Sequence, residues 1–229
     1  MSLKQVSDNL LKYSFLLALF IVTLATVSYF LWDQNLSLYF NNEDLMPHRK
    51  FGKLLTDIGL GANSFAVAFL SFVVFYSCDK KLKRRNWQSK EWPWLKSWSL
   101  NYFFALIFSG FILNLAKFFI GRQRPHVSAT FESQIFVPMN LDSYFQSMPS
   151  GHSQVVFTSA TMFAILWPRA SVFIYLLAGL LAFTRVVVHA HFLSDILIGS
   201  LIGHLGTLCC LWLFQRYSPN KYSLSSRLS

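Results

Sequence analysis

Three short polar segments interrupt an otherwise apolar chain: Lys117 to Pro125 (KFFIGRQRP), Pro149 to His152 (PSGH) and Arg185 to Asp195 (RVVVHAHFLSD). Charged and hydrogen-bonding side chains are costly at the edge of an apolar bundle, so each needs a partner or a task. Together the segments supply Lys117, Arg124 and Arg185, the Ser150–Gly151 pair, and His152, His191 and Asp195. Such a set has the donors to hold a phosphate and the acid, base or nucleophile to cut it from an ester.

Lys117 and Arg124 are seven residues apart, close to two helical turns, and share a face while the helix lasts. Pro125 disfavours helix at Arg124 and is expected to stop it there. Two cations at one helix end form an anion clamp, with the arginine fork suited to paired phosphate oxygens. The simpler account of such charges is snorkelling to a membrane interface, and Arg122 fits it. Ser150 and Gly151 precede an apolar run, where backbone N–H groups and a hydroxyl at a helix start favour an anion. His152 would sit beside that anion as a proton donor; alone, the tripeptide reads more readily as a helix cap with an incidental histidine. His191 and Asp195 are four apart, so on a helix they stack, and the carboxylate can fix the imidazole tautomer and leave the other nitrogen as base or nucleophile. Arg185 adds a phosphate partner; the competing account is a structural Arg185–Asp195 ion pair.

The elements that must carry these groups are helices in a membrane. The 229 residues are 54% hydrophobic and only 13% charged, where a soluble domain carries about a quarter charged residues. Hydropathy predicts an all-α, polytopic membrane protein: a six-transmembrane helical bundle in one domain, with spans near 13–32, 56–77, 98–118, 152–167, 170–188 and 193–214. The first apolar run is too long for a cleaved signal and reads as a retained anchor. Asp79 to Lys96 holds seven basic residues against two acidic ones, which predicts a cytoplasmic loop and cytoplasmic N- and C-termini. Thirteen of the 20 Lys and Arg then lie inside. All three polar segments fall on the opposite face, so one site can contain them.

The net charge of +10 reports topology and contact with anionic lipid rather than a nucleic-acid partner. Cys78, Cys209 and Cys210 form no disulfide framework and read as packing residues. His48, His126, His189 and His204 read as structural or loop residues, His204 bonding within the bundle. Asp33, Glu43, Asp44, Asp57, Glu132 and Asp142 are scattered, and no metal-ligand spacing is present, so neither metal nor other cofactor is expected.

The three segments resemble the tripartite signature of the type 2 phosphatidic acid phosphatase (PAP2) superfamily, K-x6-RP, PSGH and SR-x5-H-x3-D. Thr184 stands where the third block usually has Ser. The resemblance implies a metal-independent lipid phosphatase. In it His191 attacks phosphorus to form a phosphohistidine, Asp195 orients His191, and His152 protonates the leaving oxygen. Lys117, Arg124, Ser150, Gly151 and Arg185 hold the phosphoryl oxygens. It further implies a membrane lipid phosphate as substrate, with lipid A phosphate or undecaprenyl diphosphate favoured, at the periplasmic face of a bacterial inner membrane. The alternatives are lipid-to-lipid phosphotransfer at the same site, or a non-catalytic binder or transporter of anionic lipid. A transporter places charged groups near the membrane midplane, whereas these cluster at one face.

Overall fold

The computed structural model describes residues 3–41, 50, 52, 61–84, 91–128 and 130–217. His48, Glu43, Asp44, Asp57, the start of the second expected span, residues 85–90 of the basic loop and the tail after Tyr217 lie outside the described residues. The described chain is helical: α1 (Leu3–Leu31), α2 (Asp33–Phe40), α3 (Gly61–Arg84), α4 (Glu91–Ile120), α5 (Gly151–Leu166), α6 (Ser171–Val187) and α7 (Leu193–Tyr217), with single 3-10 turns at Pro125–Val127, Ser143–Phe145 and Pro168–Ala170.

Among the described residues, five segments are long and apolar enough to cross a bilayer: Tyr13–Leu31, Gly61–Lys81, Trp94–Ile120, Pro168–Val187 and Leu193–Phe214. The protein is therefore an integral membrane protein. The fourth expected span, α5, has 16 residues, about 24 Å, short of the roughly 30 Å hydrocarbon thickness. Its surroundings account for this. It contacts α3, α4, α6 and α7 and buries Ser153, Gln154, Val155, Val156, Thr158, Ala160, Thr161 and Met162. A helix walled by protein need not match the lipid thickness.

Close backbone approach sets the centre. A Cβ added at Gly199 of α7 would lie 2.4 Å from the Ser150 carbonyl oxygen, and one at Gly203 would lie 2.3 Å from that of Gln154. Without Cβ atoms, α7 lies directly against the first turn of α5, the small-residue packing typical between membrane helices. Interhelical hydrogen bonds add to it: Gln154 Nε2 donates to Ser109 Oγ at 2.7 Å, and Thr158 Oγ1 to the Gly203 carbonyl at 3.2 Å. His204 is hydrogen-bonded through Nδ1 with Thr161 Oγ1 and the Tyr175 hydroxyl, each at 3.0 Å. At the other end of the bundle, Trp94, Trp98, Tyr102, Leu106 and Met162 form an aromatic-rich core, in which Trp98 Nε1 donates to the Met162 carbonyl at 2.8 Å. The three cysteines are free thiols.

The α4–α5 connection is folded rather than loose. Gly121 has φ +61°, and a Cβ there would lie 1.9 Å from the Val137 carbonyl oxygen; only glycine fits that reversal. The returning chain is tied down by Gln123 N–H to Ile135 O (3.0 Å), Arg124 N–H to Tyr144 O (2.9 Å) and Ser147 N–H to Arg122 O (2.9 Å). The segment thus caps the end of the bundle where α4 stops and α5 and α7 begin.

Candidate active site

Helix α4 ends at Ile120, not at Arg124. The stop comes from the left-handed Gly121, four residues ahead of Pro125, and Arg124 is extended (φ −79°, ψ 149°). Lys117 and Arg124 therefore do not share a helical face, as their spacing suggests. The capping segment instead holds both through its carbonyls: Lys117 Nζ donates to Gln146 O and Arg124 Nε to Ser143 O, each at 2.9 Å. The next carbonyl in that stretch takes the imidazole, with His191 Nδ1 2.7 Å from Ser147 O. Residues 143–147 thus fix two cations and one histidine with backbone oxygens.

His191 lies in the turn between α6 and α7, where His189 adopts φ +56° and the N–H groups of Ala190 and His191 bond to Arg185 O at 3.0 and 3.2 Å. A carbonyl only accepts, so the bond to Ser147 makes Nδ1 the protonated nitrogen and leaves a lone pair on Nε2. The expected direct bond from His191 to Asp195 is not made; Asp195 Oδ2 stands 3.8 Å from Nδ1. Asp195 is in the first turn of α7, and its Oδ2 accepts from Ser147 Oγ and from the Phe192 N–H at 2.9 Å, as an acid at the third helical position does. Ser147 therefore sits between the pair, its carbonyl on the histidine and its hydroxyl on the carboxylate. Burial pushes His191 down to about 3, against the pull of Asp195 and with the push of Lys117 and Arg124. Near pH 7 it is a neutral imidazole. Burial likewise lowers Arg124 from its ordinary value, partly opposed by Asp195.

Ser150 is the N-cap of α5. Its buried hydroxyl accepts from the Ser153 N–H at 3.5 Å, and its own N–H donates to Asp195 O at 3.0 Å. Lys117, Gly151 and His152 line one cavity of about 440 Å³, together with Phe65, Leu106, Ile107, Phe111, Leu113 and Val155. His152 Nε2 is buried and makes no hydrogen bond among the described residues. Its ring feels the charges of Arg185, Arg124 and Lys117, of which Lys117 shares the cavity with it. Arg185 is in the last turn of α6, beside a Thr184 whose hydroxyl bonds back to Leu181 O at 2.7 Å. His191, Arg124 and Arg185 do not themselves line that cavity.

Two residues assigned no role by the sequence occupy the heart of the site. Arg122 does not snorkel; it is fully buried. Its guanidinium donates to Asp195 Oδ1 (2.6 Å), Asp33 Oδ2 (2.8 Å), Ser194 Oγ (2.7 Å) and Ser133 O (3.0 Å), and it stacks 4.3 Å from the Phe192 ring centroid. Asp33, read as a scattered acid, is buried at the start of α2. The structural ion pair of Asp195 is thus with Arg122, not Arg185. The local signal was Gly121: a glycine stop before Arg122 removes it from the helix surface along which it could snorkel. Burial acting alone would lower Arg122; Asp195 and Asp33 more than offset it and raise the guanidinium above its ordinary value.

Fold and site together place the protein in a class: helical membrane enzymes that gather Lys, Arg, Ser-Gly-His and His-Asp side chains at one end of the bundle. A family model described as the PAP2 superfamily matches residues 98–219, more than half of the chain, and the chain belongs to that superfamily of phosphatases. Among similar proteins, the lipid A 1-phosphatase of Rhizobium johnstonii is 35% identical over 189 residues, covering 80% of this chain and 77% of that protein. The lipid A 1-phosphatase of Rhizobium etli is 33% identical over 187 residues, covering 79% and 80%. In fold, the chain resembles the crystal structure of Aquifex aeolicus LpxE (TM-score 0.55, 19% identity, 80% of this chain and 96% of that one). It also resembles the transmembrane PAP2-type phosphatidylglycerolphosphate phosphatase of Bacillus subtilis (TM-score 0.60, 18% identity, 90% and 98%).

Proposed function

We propose that the protein removes a phosphate from lipid A through a phosphohistidine on His191, at the periplasmic face of a bacterial inner membrane. The observation that carries a lipid substrate is the cavity between α3, α4 and α5. Its polar end holds Lys117, Gly151 and His152, and its walls are Phe65, Leu106, Ile107, Phe111, Leu113 and Val155. Ile107 and Phe111 are exposed on the bundle surface, so the cavity meets lipid from the side. A phosphate at the polar end leaves an attached acyl chain against apolar walls. The names of the Rhizobium relatives favour lipid A, and specifically its 1-phosphate, over undecaprenyl diphosphate. The excess of Lys and Arg in the segments assigned to the cytoplasm supports six spans with the site on the far side.

In this reading Lys117, Arg124, Arg185 and the N–H groups at the start of α5 hold the phosphoryl oxygens, where charge develops in the transition state. His191 Nε2 attacks phosphorus while its Nδ1–H remains on Ser147 O. The P–O bond to the lipid breaks, and the leaving oxygen takes a proton from His152. Water, giving a proton back to His152, then cleaves the P–N bond and releases inorganic phosphate, regenerating neutral His191. Asp195 supports the positive charge that the imidazole carries while phosphorylated.

The test is a side-by-side assay of purified protein on lipid A, undecaprenyl diphosphate and phosphatidylglycerol phosphate, with phosphate release measured and acid-labile phosphoprotein trapped on brief exposure to radiolabelled substrate. Fastest turnover on lipid A, persistence in a chelator, inhibition by vanadate and loss of label in His191→Ala are expected. Full turnover by His191→Ala would exclude the nucleophile. Transfer of the label to a second lipid in place of water would establish phosphotransfer.

A further inference from the structure

The carboxylate that faces His191 is shared with a buried cation, and a cation bound to it weakens the support it can give. Arg122 NH1 stands 2.6 Å from Asp195 Oδ1, the shortest ion pair of the site. Paired one to one, Arg122 and Asp195 would present no net charge to the imidazole 3.8 Å away. The structure supplies a second carboxylate. Asp33, on the far side of the guanidinium at 2.8 Å, comes from the α1–α2 joint, 89 residues before Arg122 in sequence. We propose that Asp33 is a positioning residue for phosphoryl transfer: it balances Arg122, so that the carboxylate of Asp195 keeps its negative charge for His191.

The surroundings of Asp33 fit a fixed group. Oδ1 accepts from Ser28 Oγ at 2.9 Å and from the Ser194 N–H at 3.0 Å; Oδ2 accepts from Arg122 and from Ser194 Oγ. Four donors on one carboxylate fix its orientation and occupy both oxygens. Ser194 couples the two acids directly, its hydroxyl accepting from Arg122 and donating to Asp33, one residue before Asp195. Two carboxylates on one guanidinium leave the cluster at a net charge of −1. When Nε2 bonds to phosphorus and Nδ1 keeps its proton, the ring gains the positive charge that this −1 offsets. Desolvated charges interact strongly, and a cluster shielded by Tyr29, Phe136 and Phe192 around Arg122 is desolvated.

The proposal rests on the phosphohistidine reading, so wild-type protein is first shown to form the acid-labile phosphoenzyme; its absence would remove that reading without touching the charge count. Asp33→Asn then takes the cluster from −1 to 0 while keeping the shape and an acceptor oxygen. Its kcat is expected to fall about 10- to 100-fold, by analogy with losing the outer partner of a metal-bound histidine, with KM within about twofold because no phosphate contact is lost. The deciding variant is the double substitution Asp33→Asn with Arg122→Met. It restores −1 with Asp195 alone, and methionine suits the aromatic cage. Faster phosphoenzyme formation by the double variant than by Asp33→Asn supports charge balance. A double variant equal to or slower than Asp33→Asn overturns it, as does an Asp33→Asn loss that matches only a smaller folded fraction by thermal melting. Asp33→Glu, which keeps the charge, serves where the double variant does not fold: partial recovery of kcat relative to Asp33→Asn supports the proposal, and no recovery overturns it.

Discussion

Replacing Gly199 with alanine adds one carbon behind the Ser150 turn, and should slow the enzyme. That Cβ would lie 2.4 Å from Ser150 O, 3.0 Å from Ser150 N and 3.2 Å from Ser150 C. All three are backbone atoms and cannot rotate away, so α7 and the first turn of α5 must part by about 1 Å to reach ordinary contact. Overpacking of this kind costs about 1–3 kcal/mol, and the backbone target puts it at the upper end. Alanine returns about 1 kcal/mol through helix propensity. The net loss is about 2 kcal/mol, or about 4–8 °C in melting temperature for a chain of this size. Activity should suffer more. Ser150 N–H is bonded to Asp195 O and precedes Gly151 and His152, and a misplacement of about 1 Å at a reacting centre can cost about 100-fold. Gly179→Ala is the control, since its Cβ meets nothing within 4 Å; it should match wild type or melt slightly higher. The assay is phosphate release from lipid in detergent, with melting followed on the same samples. A Gly199→Ala protein with wild-type kcat/KM would refute the reasoning that this contact positions the PSGH turn.

Arg122→Met alone strands two buried carboxylates and should cost about 3–5 kcal/mol, read as a large drop in melting temperature; Arg216→Met, at an exposed residue, should stay within about 1 kcal/mol. Ser147→Ala keeps the carbonyl that holds His191 but removes the hydroxyl on Asp195, so a loss of about 1.5–3 kcal/mol is expected, with Nδ1 still the protonated nitrogen by NMR. The stability of the fold should also depend on pH through His191. Its pKa falls from 6.5 to about 3 on folding, so between those values the unfolded chain binds more protons. Stability therefore drops as pH falls from about 6.5 towards 3, by up to about 1.4 kcal/mol per pH unit. A His191→Gln variant should show a shallower slope of melting temperature over pH 7 to 4; an unchanged slope would assign the effect elsewhere.

The sequence alone marked the chemistry, because charge in an apolar chain is conspicuous and each polar segment is short. It marked the apolar helices, since hydropathy reports burial in lipid directly; five of the expected spans overlap described helices long and apolar enough to cross a bilayer, and the 16-residue α5 is not one of them. It was less informative about how the groups are held. The helix stop fell at Gly121 rather than Pro125, because a left-handed turn pressed against Val137 depends on a segment that returns from further along the chain. The acceptor for His191 is a backbone carbonyl, and backbone groups carry no residue identity to read. Spacing of four between His191 and Asp195 suggested a direct bond on a common helix. In the fold α7 begins only at Leu193, which leaves room for Ser147 between the two. Arg122 and Asp33 show the limit most plainly. Each read as an ordinary charge beside a membrane helix, and only the docking of the α1–α2 joint against the start of α7 makes them partners. That pairing spans 89 residues, a distance over which no local periodicity acts. Residue types thus determined what chemistry the chain can do, while the tertiary fold decided which charges are buried together and therefore which of them count.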